Sequence, residues 1–275
     1  MPVLKIIVYG WLTYNAGAFL VEELAAVQAT HAGTLNFSDF LAAFSATIDT
    51  IGWVILLYIM ELETNLIPDH KWSKMVERTL QTLRVLCYIA IVFAWYGYIG
   101  TWWDWTSGEM IVVKDLCALA GTGLNGASLS LINGFDDYTA LTATNCAELS
   151  GVNLQYIKSL GLIGETNVVD AGVALALTDV INASIWLIIV AILEIELRLQ
   201  SINNIEWSKS KLLLAIKGAS YAILVGCLIF WVMHGGFIDF ADAFLWLFAF
   251  FFIELNILDW ASEIEQENSA GADAT

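Results

Sequence analysis

The sequence predicts an all-α integral membrane protein with six transmembrane helices. Composition is the first observation, because 59% of the 275 residues are hydrophobic and only 14% are charged, which is typical of a chain that lies mainly in lipid. The second is a set of six apolar segments, each near the roughly 20 residues that a helix needs to cross about 30 Å of hydrocarbon. The third is a polar pattern that recurs on every second segment.

The six segments should be helices, because lipid offers backbone groups no hydrogen-bond partner outside the segment itself. We place them at Val3 to Leu24, Asp39 to Met60, Leu80 to Trp103, Val168 to Leu193, Leu212 to Met233 and Ile238 to Leu258. The first could be mistaken for a cleavable signal peptide. We expect a membrane helix, since Tyr14 and Asn15 interrupt its apolar run and Glu22 and Glu23 end it.

Positive charges predict the orientation of these helices. They concentrate at the second and fourth connections, as Lys71, Lys74, Arg78 and Arg84, and as Arg198, Lys209, Lys211 and Lys217. By the positive-inside rule both connections are cytoplasmic. Six crossings then place both termini in the cytoplasm and residues 104–167 outside, and we expect a bacterial-type inner membrane.

The long outer connection, residues 104–167, should form a small ordered cap. Cys117 and Cys146 both lie in it, and the outer compartment is oxidising if the topology holds, so we predict that they form a disulfide. Short helices are expected near Val113–Ala120 and Asn153–Leu160. The remaining cysteines, Cys87 and Cys227, lie within membrane segments and should behave as small apolar residues.

Two patterns alternate along the six segments. The even segments share an Asp or Asn, a Trp four residues later and a Glu eight residues after the Trp, whereas the odd segments begin with a base followed four residues later by Tyr. We interpret this alternation as three copies of one helical hairpin, at about 1–64, 78–198 and 211–258. All three run in the same sense, so a ring of them would have pseudo-threefold symmetry about the membrane normal.

The patterned residues are the candidate functional groups. Asp49, Asn182 and Asp242 should line an ion path in the outer half of the membrane, because acidic groups at that depth usually face a bundle interior or water. At the cytoplasmic boundary, Glu61, Glu194 and Glu254 should pair with Lys5, Arg84 and Lys217, either within each hairpin or between neighbouring hairpins of the ring, since an unpaired charge is costly there. The alternative is that the bases and tyrosines are only interfacial anchors.

Other functional classes find little support in the sequence. A histidine-rich metal site is not expected, because the topology separates His70 from His31 and His234, and no P-loop, GxSxG, HExxH or CxxC motif occurs. We therefore predict neither an enzyme nor a bound cofactor or metal. The net charge of −17 argues against nucleic acid as a partner, and residues 261–275 have the composition of an acidic disordered tail.

Two functions remain open. The first is a small cation or small-solute transporter or channel, in which the outer carboxylates attract a cation and the inner ion pairs form a gate. The second is a structural or assembly subunit of a larger membrane complex, in which the same pairs hold the helices together. The expected partners are the lipid bilayer and either further copies of this chain or other membrane subunits.

Overall fold

Long helices make up most of the protein. The computed structural model describes residues 2–30, 35–62, 73–111, 113, 115–120, 129–147, 153–201 and 211–250. The helices are α1 Pro2–Thr30, α2 Phe37–Ala43, α3 Ser45–Glu61, α4 Lys74–Thr106, α5 Thr166–Ser201, α6 Lys211–His234 and α7, which is helical over residues 237–250. Glu254, the tail 261–275, Lys71, Lys114 and Lys209 lie outside the described residues.

Three helices of the described chain are long and apolar enough to cross a membrane. They are α4, α5 over Thr166–Ile195, and α6 over Leu212–His234. The pair α2 and α3 adds a fourth candidate if both belong to one span, bent by 70°. The second segment is therefore a bent pair rather than the straight helix that the sequence predicts. The first and sixth segments are helical as α1 and α7 but are not among these candidates.

The bend between α2 and α3 lies at Phe44. The Asn36 side chain caps α2 by accepting a hydrogen bond from the Asp39 N–H at 2.9 Å. Before the bend, α2 lies close against α4, and the contact depends on Gly97. A Cβ at Gly97 would overlap the Leu41 carbonyl oxygen, so only glycine permits this approach.

The helices pack side by side in chain order, and α7 returns to α1. α3 packs against α1 and α4, and α5 packs against α4 and α6. Leu175, Trp231 and Ala243 join α5, α6 and α7 in one buried cluster. A hydrogen bond between Asn15 and Asp242 then joins α1 to α7. The helices thus surround a common interior.

A five-stranded sheet stands between α4 and α5, where the sequence predicted no strands. Its strands are β1 Glu109–Ile111, β2 Ser130–Gly134, β3 Asp137–Ala140, β4 Leu154–Ile157 and β5 Leu162–Glu165, in the order β1-β4-β5-β2-β3. The pairs are antiparallel except for β2 with β5. The all-α prediction is wrong for this region, and the helix predicted near Asn153–Leu160 is β4 with its following turn. Near Val113–Ala120 the structure has a short 3-10 helix, Leu116–Leu119.

The sheet and its disulfide form a cap with a core of its own. The predicted Cys117–Cys146 disulfide is confirmed, with the two Cα atoms 4.9 Å apart. Cys146 is buried beside Leu116, Leu131 and Ile163. The cap is held to α1 by the Ser130 hydroxyl, which donates to the Ala29 carbonyl oxygen at 2.8 Å. It is therefore fixed over one end of the helix bundle.

Candidate functional site

A cavity of about 590 Å³ lies between the cap and the helices. Its walls come from all seven described helices, and the turn between β2 and β3 closes part of the cap end. The lining on α3 ends at Trp53 and the lining on α5 ends at Trp186. The cavity therefore occupies the half of the bundle that faces the cap.

Carboxylates dominate the polar lining of the cavity. Six lie on the long helices α1, α3, α5 and α7, as Glu22, Glu23, Asp49, Asp179, Asp239 and Asp242. Four more are Asp39, Asp104, Asp136 and Asp137. Within the described part of the chain no Lys or Arg lines this cavity, although His234 does. So many carboxylates in a partly enclosed, low-dielectric space attract cations.

The three residues predicted to form an ion path all line this one cavity. Asp49 comes from α3, Asn182 from α5 and Asp242 from α7. The Trp53 indole donates a hydrogen bond to Asp49 Oδ1 at 3.0 Å, and the Asn15 amide donates to Asp242 Oδ1 at the same distance. A carboxylate has about four lone-pair sites, so both groups keep acceptor capacity for a ligand.

Three tryptophans form the end of the cavity that is remote from the cap. The ring centroid of Trp53 lies 6.2 Å from those of Trp186 and Trp246, with an interplanar angle of 58° in both pairs. Phe250 packs on Trp186 at 4.6 Å. All four rings are buried. Beyond them Leu57 and Ile189 continue the same apolar core, which closes the cavity at this end.

Glu23 on α1 holds the first turn of α3 in place. Its carboxylate accepts hydrogen bonds from the backbone N–H groups of Ala46, at 2.8 Å, and Thr47, at 3.3 Å. The first N–H groups of a helix have no partner within that helix, and a negative charge is favourable there. Glu23 thus accepts hydrogen bonds from N–H groups at the start of α3, which the bend at Phe44 creates.

Among the described residues, those predicted to form the inner ion pairs lie outside the cavity, at the other end of the bundle. Lys5 Nζ is 3.1 Å from Glu61 Oε2, and the Tyr9 hydroxyl donates to that oxygen at 3.1 Å. Between α4 and α5 the Tyr88 hydroxyl donates to Glu194 Oε1 at 2.8 Å. In these two cases the Tyr of the base-and-Tyr pattern thus contacts the Glu of the following even segment.

The structure describes the second and third predicted base-and-Glu pairs less completely than the first. Arg84 lies about one helical turn before Tyr88 on α4. Lys217 and Tyr221 lie together on α6, whereas their predicted partner Glu254 lies outside the described residues. The described chain therefore shows the first predicted ion pair directly and the tyrosine contact of the second.

Asp136 brings a titratable carboxyl from the cap into the cavity. It has a φ of 60° in the turn between β2 and β3, a conformation that Asp and Asn tolerate better than most residues. Desolvation, followed by the neighbouring Asp239 and Glu22 carboxylates, raises the pKa of Asp136 from its ordinary 3.8 to about 7. Burial and the Asp136 charge raise the pKa of the adjacent Tyr138 hydroxyl as well.

Several residues that line the cavity or bond to its lining were not assigned a role from the sequence. Asn15, which is 1% exposed, was seen only as an interruption of an apolar run, although a polar residue in such a run signals an interior partner. Glu23 and Asp136 lack even that signal, because the groups they face come from distant parts of the chain. Among the described residues, no group of three or more His, Cys, Asp or Glu is placed to hold a metal ion.

Comparisons with known proteins identify no relative. No family model, curated protein or solved structure matches the chain.

Proposed function

We propose that the protein is a small-cation transporter or channel whose acidic cavity is its outer binding chamber. The observation that carries the proposal is the convergence of Asp49 and Asp242 from separate helices on one cavity whose described lining contains no Lys or Arg. Carboxylates within a membrane bundle are costly unless they face water or a cation. A cation that enters such a chamber supplies the positive charge that no Lys or Arg of the described lining provides.

The proposal includes six membrane helices in three related hairpins. Supporting it, Trp53, Trp186 and Trp246 occupy the same place in the repeated pattern and meet at the bundle centre. The closed order of helix contacts from α1 to α7 also favours a ring. In this arrangement the outer chamber and the inner ion pairs lie on one axis that runs across the membrane.

The inner half of the path is proposed to open and close. Twelve residues separate Asp49 from Glu61, which corresponds to about 18 Å along a helix. Apolar side chains and the tryptophans fill the space between them, so this arrangement is closed toward the Lys5–Glu61 end. Breakage of the inner ion pairs would allow the tryptophans to separate. Their separation would connect the chamber with the cytoplasm.

Cation uptake into liposomes that contain the purified protein tests this function. Rubidium and choline serve as the inorganic and organic probes, and Asp49→Asn is compared with Asp170→Asn. Asp170 is exposed on α5 and lies outside the cavity lining, so it controls for loss of one negative charge. We expect protein-dependent uptake of at least one probe, reduced about tenfold or more by Asp49→Asn alone.

The same experiment separates transport from the assembly-subunit alternative. If the carboxylates only hold helices together, neither probe enters faster than into empty liposomes, and Asp49→Asn lowers thermal stability without altering flux. That result would reject the transport proposal. A protein purified from its native membrane in fixed ratio with other subunits would then support the assembly role.

A further inference from the structure

We infer that the cation recognised by this cavity is an organic ammonium ion rather than a bare metal ion. The inference rests on the proposed function, because it names the class of cation that the same chamber would take. Its basis is the combination of carboxylates, buried aromatic rings and cavity size.

The size of the cavity favours an organic molecule. Its volume of about 590 Å³ lies within the range of roughly 300 to 1,000 Å³ found for small-molecule sites. A dehydrated metal ion instead needs several oxygen ligands converging at about 2.0 to 2.6 Å. Here the carboxylates are distributed over six helices and the cap around a space many times larger than an ion.

The aromatic lining supplies the second part of an ammonium site. Trp53, Trp186, Trp246 and Phe250 line the end of the cavity, and the centroids of the rings in contact lie 4.6 to 6.3 Å apart. Faces of aromatic rings attract ammonium groups, most strongly when the ring is Trp and the site is desolvated. The same rings provide apolar contacts for the carbon substituents of an organic cation.

The sequence spacing of the carboxylates and the tryptophans places a carboxylate beside the aromatic rings. Asp49 and Asp242 each precede their Trp by four residues, so on a helix the two side chains lie on one face about 6 Å apart along the axis. The Trp53 indole is hydrogen-bonded to Asp49. An ammonium group above the tryptophans would therefore contact ring faces below it and carboxylate oxygens beside it.

Equilibrium binding of radiolabelled choline to the detergent-solubilised full-length protein tests the inference. The competitors are dimethylbutanol, the neutral carbon isostere of choline, and rubidium chloride. Trp186→Leu is compared with Trp103→Leu, since Trp103 is 69% exposed and lies outside the cavity. Trp186→Phe is the fallback, because it keeps a ring of weaker cation affinity if the leucine variant does not fold.

We expect saturable choline binding that dimethylbutanol does not displace. Trp186→Leu should weaken it by roughly three- to thirty-fold, Trp186→Phe by less, and Trp103→Leu by less than twofold. Absence of choline binding overturns the inference, as does binding that dimethylbutanol displaces equally well or that neither Trp186 variant alters.

Failure of this inference can be distinguished from failure of the proposed function. Protein-dependent rubidium uptake without choline binding keeps the transport proposal and rejects the organic cation. Choline binding without uptake of either probe keeps the cation site and rejects transport. Choline binding together with choline uptake supports both.

Discussion

At the scale of single residues, Asp136 should make the protein less stable as the pH rises toward neutrality. Its pKa is about 7 in the folded protein against an ordinary value of 3.8, so between these values the folded state holds a proton that the unfolded state has released. Stability then falls with increasing pH over that window. The facing titratable groups are Glu22 on α1, Asp239 on α7 and Tyr138 on β3.

Melting temperatures from pH 4 to pH 8 in detergent check this prediction. Asp136→Asn removes the ionisable group and retains a residue that tolerates positive φ, so the decline with pH should become shallower. Asp136→Gly should act in the same way, because glycine also accepts this backbone conformation. Parallel curves for wild type and both variants would show that Asp136 does not titrate in this window.

A second residue-scale prediction concerns the Tyr88 hydroxyl. Its hydrogen bond to Glu194 measures 2.8 Å, and loss of a bond to a charged acceptor costs about 1 to 3 kcal/mol. Tyr88→Phe should therefore lower the free energy of unfolding by that amount. Tyr96→Phe is the matched control on the same helix, because Tyr96 is 55% exposed. Equal effects of the two substitutions would mean that Tyr88 is only an interfacial anchor.

Some residues of the candidate site could be predicted from the sequence and others could not. The repeated spacing on the even helices indicated Asp49, Asn182 and Asp242, because every member of the pattern belongs to one helix face. Glu23 could not be assigned, since its partners are backbone N–H groups of Ala46 and Thr47. Those donors exist only because the chain bends at Phe44, and no side-chain pattern records that bend.

At the scale of elements, the close packing of α2 on α4 should depend on Gly97. A Cβ there would overlap the Leu41 carbonyl oxygen, which is backbone and cannot move independently of α2. Gly97→Ala should destabilise the fold by about 1 to 3 kcal/mol, the usual cost of overpacking. Gly100→Ala is the control, because its Cβ would meet Ala42 Cβ at an ordinary 3.5 Å.

Thermal unfolding of both glycine variants in detergent measures the difference. Gly100→Ala should be neutral or slightly stabilising, since alanine favours a helix over glycine by roughly 0.5 to 1 kcal/mol. If Gly97→Ala were equally harmless, α2 would not lie against α4 as described.

The cap shows why elements in the outer connection were harder to predict than the long helices. Hydrophobicity over about 20 residues identifies a membrane helix because lipid imposes one structure on the backbone. The strands of the cap are three to five residues long, too short for a distinct alternation. They also pair out of chain order, with β2 between β5 and β3, so local sequence does not specify their partners.

At the scale of the whole molecule, the compartment assigned to the outer connection and the repeated sequence pattern predicted more contacts than local motifs did. The disulfide followed from placing Cys117 and Cys146 on the same, oxidising side of the membrane. The interpretation as repeated hairpins led to the pairing of Lys5 with Glu61. Neither inference required knowledge of the loop conformations, because both depend only on which side of the membrane a residue occupies and at what depth.

The repeat makes its strongest prediction for the third hairpin. If that hairpin copies the first, Lys217 and Tyr221 hold Glu254 as Lys5 and Tyr9 hold Glu61. Lys217→Gln and Glu254→Gln should each destabilise the protein, and the double substitution should cost less than the two effects combined. A coupling energy of about 0.5 to 3 kcal/mol is expected for residues in direct contact.

A double-mutant cycle on unfolding free energy in detergent measures that coupling, with Lys5→Gln and Glu61→Gln as the reference cycle. The reference pair is in contact, so it gives the value that a true copy should approach. Lys217→Gln combined with Glu61→Gln provides the mismatched control and should be additive, because the repeat assigns those residues to different hairpins. If the effects of Lys217→Gln and Glu254→Gln were also additive, the base-and-Glu contacts would be restricted to the first two hairpins. Additivity would also remove the inner ionic gate from one third of the proposed ring.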